Sequence, residues 1–470
     1  MDNKSQTKTL RVSNKSYAGD GSSRPNLSKY NAGDKTLRVF WPALAAALLF
    51  LIYLAIVWFY LSPSSLWSPD EGAKLLQTKS LRWQDGRLAF DIQYAGAAID
   101  PGLVYALSNP VKDLLRVVDG RLMLERLPIF SLATLPFYRQ MGMFGLYVLP
   151  ALGGALAALL TLLLLDKPTH RWPAFLLVAF GSPVFIYALL FWEHTLASSL
   201  ALAGAALMLR LGEHKSSRPR RKLATLLPAV LLLSSAVYLR QEILVFAAAL
   251  LAAGWVLFRT QRRWILLAGI LLILTLLPFQ PLHKTLFAGQ ELPLNARYIN
   301  LPLGYLRTAQ WAAVPDLLVG PAEDEGADTG WLGGLWAIST IIAVGHSFSR
   351  DTSKPARFLE RAGLMVSAGV ALYFLFSPLS YRSAHGLLFS TPWAVLGFTR
   401  AAEVWRTGDQ KARALILTCA LGLGAYTLMM VGVRASSPQG GLEWGGALFY
   451  DLLPAAGNPG CLGLVQPGND

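Results

Sequence analysis

Long apolar stretches recur along the chain and constrain its fold more than any other feature. A helix needs about 20 apolar residues to cross the roughly 30 Å hydrocarbon core of a bilayer. Because 54% of the 470 residues are hydrophobic and only 15% are charged, a soluble multi-domain fold is excluded. The sequence therefore predicts an all-α polytopic membrane protein of about 11 transmembrane helices. The stretches lie near 39–61, 144–165, 172–192, 195–211, 223–239, 243–258, 264–279, 331–348, 362–377, 387–402 and 414–433.

The first stretch is too long for the apolar core of a cleaved signal peptide and is predicted to remain as an anchor. The polar, basic segment before it has the composition of a disordered cytoplasmic tail. Two later segments are long enough to form outer loops. The predicted organisation is a tail at 1–38, a transmembrane module at 39–434 with outer loops at 62–143 and 280–330, and an outer-face tail at 435–470.

The net charge is +14, and the basic residues are distributed according to the predicted membrane topology rather than clustered on one surface. With a cytoplasmic N-terminus and alternating helices, the inner segments hold 27 of the 42 Lys and Arg but only 9 of the 28 Asp and Glu. This excess obeys the positive-inside rule, so no nucleic-acid partner is expected. Cys419 and Cys461 are too few for a disulfide framework or a metal cluster.

The first outer loop contains amphipathic sequence. Residues 111–127, VKDLLRVVDGRLMLERL, have apolar positions at helical spacing and predict a helix in the plane of the membrane interface. Residues 127–138 are too short to span and contain two prolines, which predicts a segment that dips against the bundle or the headgroups. In the second loop, the acid cluster at 321–331 is either a solvated turn or a cation-binding turn.

Four charged groups lie at the outer ends of predicted spans. Because inserting an ionisable side chain into a membrane is costly, such groups usually have a structural or functional role. Arginine binds phosphate oxygens and stabilises a leaving phosphate, while a carboxylate can accept the proton of an attacking hydroxyl. Together such groups suit a reaction on a lipid phosphate. They are Asp70 with Glu71, Glu193 with His194, Arg240 with Glu242, and Arg382 with His385.

Each group also has a structural interpretation. The acids Asp70 and Glu71 follow Ser68 and Pro69, a sequence that starts a helix and places negative charge at its N-terminus. The other groups can be ion pairs or satisfied helix ends at the membrane interface.

The order of several segments resembles the GT-C type integral-membrane glycosyltransferases, in particular bacterial relatives of the protein O-mannosyltransferases and of the lipid A aminoarabinose transferase. SPDEGAKLLQTKSLRWQDGRL resembles the first outer loop of that family with its Asp-Glu pair. FWEHTLASSLALAGAALML and YLRQEILVF resemble its fourth to sixth spans, SYRSAHGLLFSTPWAVLG a later helix start, and GGLEWGGALFYDLLP a late Gly-Gly and Trp-Gly pattern.

The resemblance implies a GT-C fold in a bacterial inner membrane. It also implies transfer of a sugar from a polyprenyl-phosphate donor to a lipid, glycan or protein acceptor at the outer face. Asp70 is then the general base, and Glu71 orients the site or helps to hold a divalent cation. Arg240 and Arg382 are the candidates for the donor phosphate because an arginine binds phosphate oxygens well. The other substrate-binding candidates are Glu242, His385, Glu193 and His194.

One departure from the family pattern concerns Ala447, which stands where relatives often carry an arginine. Two other functions stay open from the residues alone. A flippase or transporter of lipid-linked saccharides would use the same charges without bond cleavage, and would place them along a path at mid-membrane depth. A noncatalytic scaffold would scatter the four charged groups over separate surfaces.

Overall fold

The chain is mostly helical, and four helices of its described part are long and apolar enough to cross a membrane. The computed structural model describes residues 32–102, 115–278 and 408–436, apart from short gaps, and a few single positions elsewhere. The four are Phe40–Phe59, Ile129–Leu164, His194–Glu213 and Pro219–Leu239. A fifth candidate is the pair Ile243–Leu257 with Arg259–Leu276, between which the chain bends by 111°.

The described elements are helices apart from four short strands. Four short strands between residues 82 and 124 pair into two two-stranded antiparallel hairpins. The helices are α1 (Ala32–Phe59), α2 (Pro69–Ser80), α3 (Ile129–Met141), α4 (Val148–Leu164), α5 (Pro168–Phe180), α6 (Pro183–Ala188), α7 (His194–Glu213), α8 (Pro219–Leu239), α9 (Ile243–Leu257), α10 (Arg262–Leu276) and α11 (Gln410–Ser436). The strands are β1 (Arg82–Gln84), β2 (Arg87–Ala89), β3 (Leu115–Val118) and β4 (Arg121–Leu124).

Most of the apolar stretches within the described residues are helical, but α9 and α10 have only 15 residues each and count as a candidate span only together. The helices α1, α4, α7, α8, α9, α10 and α11 cover the stretches near 39–61, 144–165, 195–211, 223–239, 243–258, 264–279 and 414–433. The stretches at 331–348, 362–377 and 387–402 lie almost entirely outside the described residues. The helical membrane class is therefore supported, whereas the total of eleven spans stays a prediction.

The prediction of one spanning helix over 172–192 is wrong. The helix α5 ends at Phe180, and α6 is a separate short helix that ends at Ala188. Ser182 is extended and caps α6 by accepting a hydrogen bond from the amide of Val184, with Pro183 in the first turn. A capping residue followed by proline starts a new helix. The chain therefore forms two helices, α5 and α6, although the stretch is apolar enough for one.

The prediction of an interfacial helix over 111–127 is also wrong. Strands β3 and β4 pair in the register Leu115 with Leu124 and Val118 with Arg121, which leaves two residues to connect them. Those residues are Asp119 and Gly120 in the sequence, and Asp-Gly between apolar runs is a strong hairpin signal. The turn chemistry therefore overrides the helical spacing.

The segment at 127–138 is helical and runs into the next span. It forms most of α3, with Pro136 inside the helix, and a short 3-10 turn at Gly142–Tyr147 joins α3 to α4. Together they make one apolar stretch of 36 residues, Ile129–Leu164. The span predicted from residue 144 therefore begins earlier in the chain.

The helices α4 and α7 approach each other closely at Gly153. A Cβ atom at this position would lie 2.6 Å from the carbonyl carbon of Thr195, well inside van der Waals contact. The hydroxyl of Thr195 also donates a 2.8 Å hydrogen bond to the carbonyl of Pro150. A small residue is thus needed where α7 begins, and this contact sets the position of the residues just before it.

We expect Gly153→Ala to destabilise the protein by about 1 to 3 kcal/mol, because the added methyl group forces the two helices apart. Thermal unfolding of the purified protein in detergent measures the effect. Gly269→Ala in α10 is the matched control, since its Cβ would meet only Leu251 at an ordinary 3.7 Å. Equal melting temperatures for the two variants would contradict the close approach.

Candidate functional site

The helix α2 buries its polar side chains, which is the reverse of an ordinary surface helix. Glu71, Lys74, Gln77 and Thr78 are each no more than 4% exposed. Their spacing of three and four residues places them on one side of the helix. Burying such groups is costly unless each has a partner, so the partners of this face define how α2 sits on the bundle.

Glu71 and Gln77 attach α2 to two neighbouring segments. The amide of Phe191, in the connection between α6 and α7, donates a 2.6 Å hydrogen bond to Oε1 of Glu71. Farther along α2, the hydroxyl of Ser131 in α3 donates to Oε1 of Gln77 at 2.7 Å. These bonds hold both ends of the polar face against the helical bundle.

A buried ion-pair network links α2 to two more distant parts of the chain. Lys74 Nζ donates to Oε2 of Glu193 at 2.5 Å. The other oxygen of the same carboxylate, Oε1, accepts from Arg240 Nη1 at 3.3 Å. Arg240 also donates through Nη2 to Oε1 of Glu242 at 2.9 Å. Four charges of alternating sign therefore form one chain, which we call the charge network.

The charge network becomes more exposed toward Glu242. The side chains of Lys74 and Glu193 are 5% and 3% exposed, whereas those of Arg240 and Glu242 are 13% and 21% exposed. Burial of Arg240 would by itself lower its pKa, but the carboxylates of Glu242 and Glu193 outweigh this and raise the pKa above its usual value. Arg240 is therefore a permanent cation at the junction of α8 and α9.

Asp70 lies at the start of α2, next to the charge network. Asp70 is half-buried, whereas Glu71 is fully buried. Positions four apart on a helix are neighbours on its surface, so Asp70 lies one turn from Lys74 on the same side. The first acid of the pair is therefore the accessible one, and the second is a buried structural contact.

Aromatic rings enclose the network from the α6 and α7 side. The imidazole of His194 stacks on Tyr187, with centroids 4.4 Å apart, and on Trp192 at 4.8 Å. Lys74 Nζ lies 5.5 Å from the centroid of the Trp192 ring. These rings lower the local polarity around Lys74 and Glu193 and strengthen their attraction.

The structure brings together three of the four predicted charged groups. Glu71, Glu193, Arg240 and Glu242 are joined directly or through neighbouring residues, and His194 adjoins them through Trp192. Arg382 and His385 lie outside the described residues.

Lys74 is the member of the network that sequence reasoning missed. Its signal is weak, because a lysine three residues after Glu71 is usual on an exposed helix.

A metal site was left open by the sequence. In the part of the chain that the structure describes, no group of three or more His, Cys, Asp or Glu side chains is placed to hold a metal ion.

Comparisons with known proteins add no family to this picture. No protein-family model matches the chain, and neither a curated protein nor a solved structure gives a match.

We expect Lys74→Met to destabilise the protein by about 3 to 5 kcal/mol, because it leaves Glu193 as a buried carboxylate with one cation fewer. Lys74→Arg should recover part of that loss, since the positive charge is kept. Unfolding in detergent measures both.

The control is the partly exposed ion pair of Arg82 with Asp91. Arg82 Nη2 lies 2.9 Å from Asp91 Oδ2, and the two side chains are 31% and 17% exposed. Asp91→Asn should cost less than about 1 kcal/mol. A loss at Lys74 as small as that at Asp91 would show that the network carries little stability.

Proposed function

We propose that the chain is an integral-membrane glycosyltransferase of the GT-C type. It moves a sugar from a polyprenyl-phosphate donor to an acceptor hydroxyl at the outer face of the membrane, and Asp70 is the general base. The proposal rests on the family resemblance of the sequence and on one structural observation. Charged segments that are more than 100 residues apart in sequence meet at a single end of the helical bundle.

The position of the charges supports an enzyme more than a transporter. Glu193 immediately precedes α7, and Arg240 immediately follows α8, so both lie at helix ends. A flippase for lipid-linked saccharides would instead need such groups along a path through the membrane. Among the described residues, the network is confined to one end of the spans, where a lipid headgroup and a water-soluble acceptor can both arrive.

Asp70 has the accessibility that a base needs. In the proposed step, its carboxylate takes the proton of the acceptor hydroxyl while the hydroxyl oxygen bonds to the anomeric carbon of the sugar. The bond from that carbon to the phosphate oxygen breaks, and the polyprenyl phosphate leaves with the electron pair. Asp70 then releases its proton to water. A phosphate leaving group needs little help from an acid, so one base is sufficient.

Glu71 and Glu193 have positioning roles in this proposal. Glu71 is completely enclosed and accepts from the backbone of Phe191, so it cannot reach a donor sugar. Glu193 has both oxygens occupied by cations. Both carboxylates hold α2, and through it Asp70, against the bundle.

The charge balance bears on where the donor phosphate binds. The described site contains four acids (Asp70, Glu71, Glu193 and Glu242) but two cations, Lys74 and Arg240. Arg240 is shared between two carboxylates, and a negatively charged phosphate would compete with them for its donors. The donor therefore needs further positive charge, which Arg382 or a divalent cation would supply under the proposal.

We expect Asp70→Asn to reduce sugar transfer by about 10² to 10⁴-fold without loss of folded protein, because the amide cannot accept the proton. The assay uses purified protein, polyprenyl-phosphate sugars and candidate acceptors, and it follows release of free polyprenyl phosphate. Asp91→Asn, in the same loop, should keep wild-type activity.

Two outcomes would contradict the proposal. Full transfer by Asp70→Asn would remove the base assignment. Movement of the lipid-linked sugar across a vesicle membrane by wild type, without release of polyprenyl phosphate, would favour a flippase.

A further inference from the structure

The end of the bundle opposite the candidate site carries cations that no described carboxylate neutralises. Arg220 and Arg221 are exposed in the first turn of α8, and Arg259, Arg262 and Arg263 are exposed where α9 turns into α10. Lys222 lies between these two groups. In the described part of the chain, none of these residues forms an ion pair with Asp or Glu. We call the two groups with Lys222 the basic end.

The basic end lies one helix length from the charge network. The helix α8 has 21 residues and leads from the basic end to Arg240, a distance of about 30 Å at 1.5 Å per residue. This length matches the hydrocarbon thickness of a bilayer. The two polar ends therefore lie at opposite membrane surfaces when α8 spans.

Lys222 joins the two groups into one surface. Its ammonium donates a 2.9 Å hydrogen bond to Oε1 of Gln261, and the residue is only 6% exposed. Lys222 Nζ also lies 6.0 Å from the centroid of the Trp264 ring, and Arg263 Cζ lies 5.8 Å from the same centroid. Positive charge is thus concentrated around a neutral amide and an indole.

Tryptophans and exposed apolar residues border the cations. Arg262 stacks on Trp255 at 5.3 Å and donates to its carbonyl at 2.9 Å. On the adjoining turns, Leu223 and Leu266 are 40% and 54% exposed. Tryptophan and arginine beside an apolar helical surface are typical of the headgroup level of a membrane. A nucleic acid or an acidic protein would not match this apolar border, whereas a phospholipid has its phosphate directly next to its acyl chains.

We propose that the basic end binds the phosphates of anionic phospholipids at the membrane surface opposite the candidate site. The arginines attract the phosphate oxygens chiefly through their positive charge. Lys222 adds a point charge from within the fold, and the tryptophans lie at the level of the headgroups. This inference does not depend on the proposed enzymatic function.

The first experiment uses the wild-type full chain in detergent with added phosphatidylglycerol or phosphatidylcholine. Native mass spectrometry counts the lipids that stay bound. We expect phosphatidylglycerol to be retained in preference to phosphatidylcholine, and the preference to weaken at high salt because the contact is electrostatic. Equal retention of the two lipids would overturn the proposal.

The second experiment compares the double variant Arg262→Gln/Arg263→Gln with wild type. Each basic residue near an anionic surface contributes about a factor of five in affinity, so we expect phosphatidylglycerol to bind roughly thirtyfold more weakly. The matched control, Arg121→Gln/Arg139→Gln, removes two exposed charges that lie in β4 and α3, away from the basic end. It should bind the lipid as wild type does.

A third variant separates charge from local structure. Arg262→Lys/Arg263→Lys keeps both charges but lacks the Arg262 guanidinium that stacks on Trp255. Retention of most of the lipid affinity supports the proposal. A loss as large as that of the glutamine variant, or unchanged affinity in the glutamine variant, would overturn it.

Discussion

The carboxylate of Glu193 is the group on which the arrangement of the candidate site depends. One oxygen accepts from Lys74 of α2, and the other accepts from Arg240 at the junction of α8 and α9. A buried carboxylate is tolerated only when it is paired. Because a single buried anion has partners in two distant segments, both segments must lie where its oxygens are.

The helix α2 is fixed from both sides. Its polar face contacts the bundle through Glu71, Lys74 and Gln77, while Ala73 packs with Ile92, Leu115, Leu122 and Leu124 beneath the second hairpin. Asp70 therefore stands at the end of a helix whose rotation is set by buried contacts one turn later. A site held on rigid elements keeps its geometry before a ligand binds, which is what the proposed role of Asp70 as a general base requires.

The sequence predicts the helical membrane class and the meeting of charged helix ends, because both follow from the cost of polar groups in hydrocarbon. It fails where a local signal competes with composition. Residues 111–127 have helical spacing, yet Asp-Gly makes a hairpin, and residues 172–192 are almost entirely apolar, yet Ser182 and Pro183 start a new helix. Lys74 could not be found this way, since its burial arises from Glu193, which is 119 residues farther along the chain.

A double-mutant cycle between Lys74 and Glu193 tests the central claim most directly. Lys74→Met, Glu193→Gln and the double variant are unfolded under the same conditions, so that effects of each change on other neighbours cancel. If the two groups pair in the buried network, the free energies of unfolding should be non-additive by about 1 to 3 kcal/mol, with the double variant less destabilised than the sum. Additivity within about 0.5 kcal/mol would contradict the pairing and the placement of α2 that rests on it.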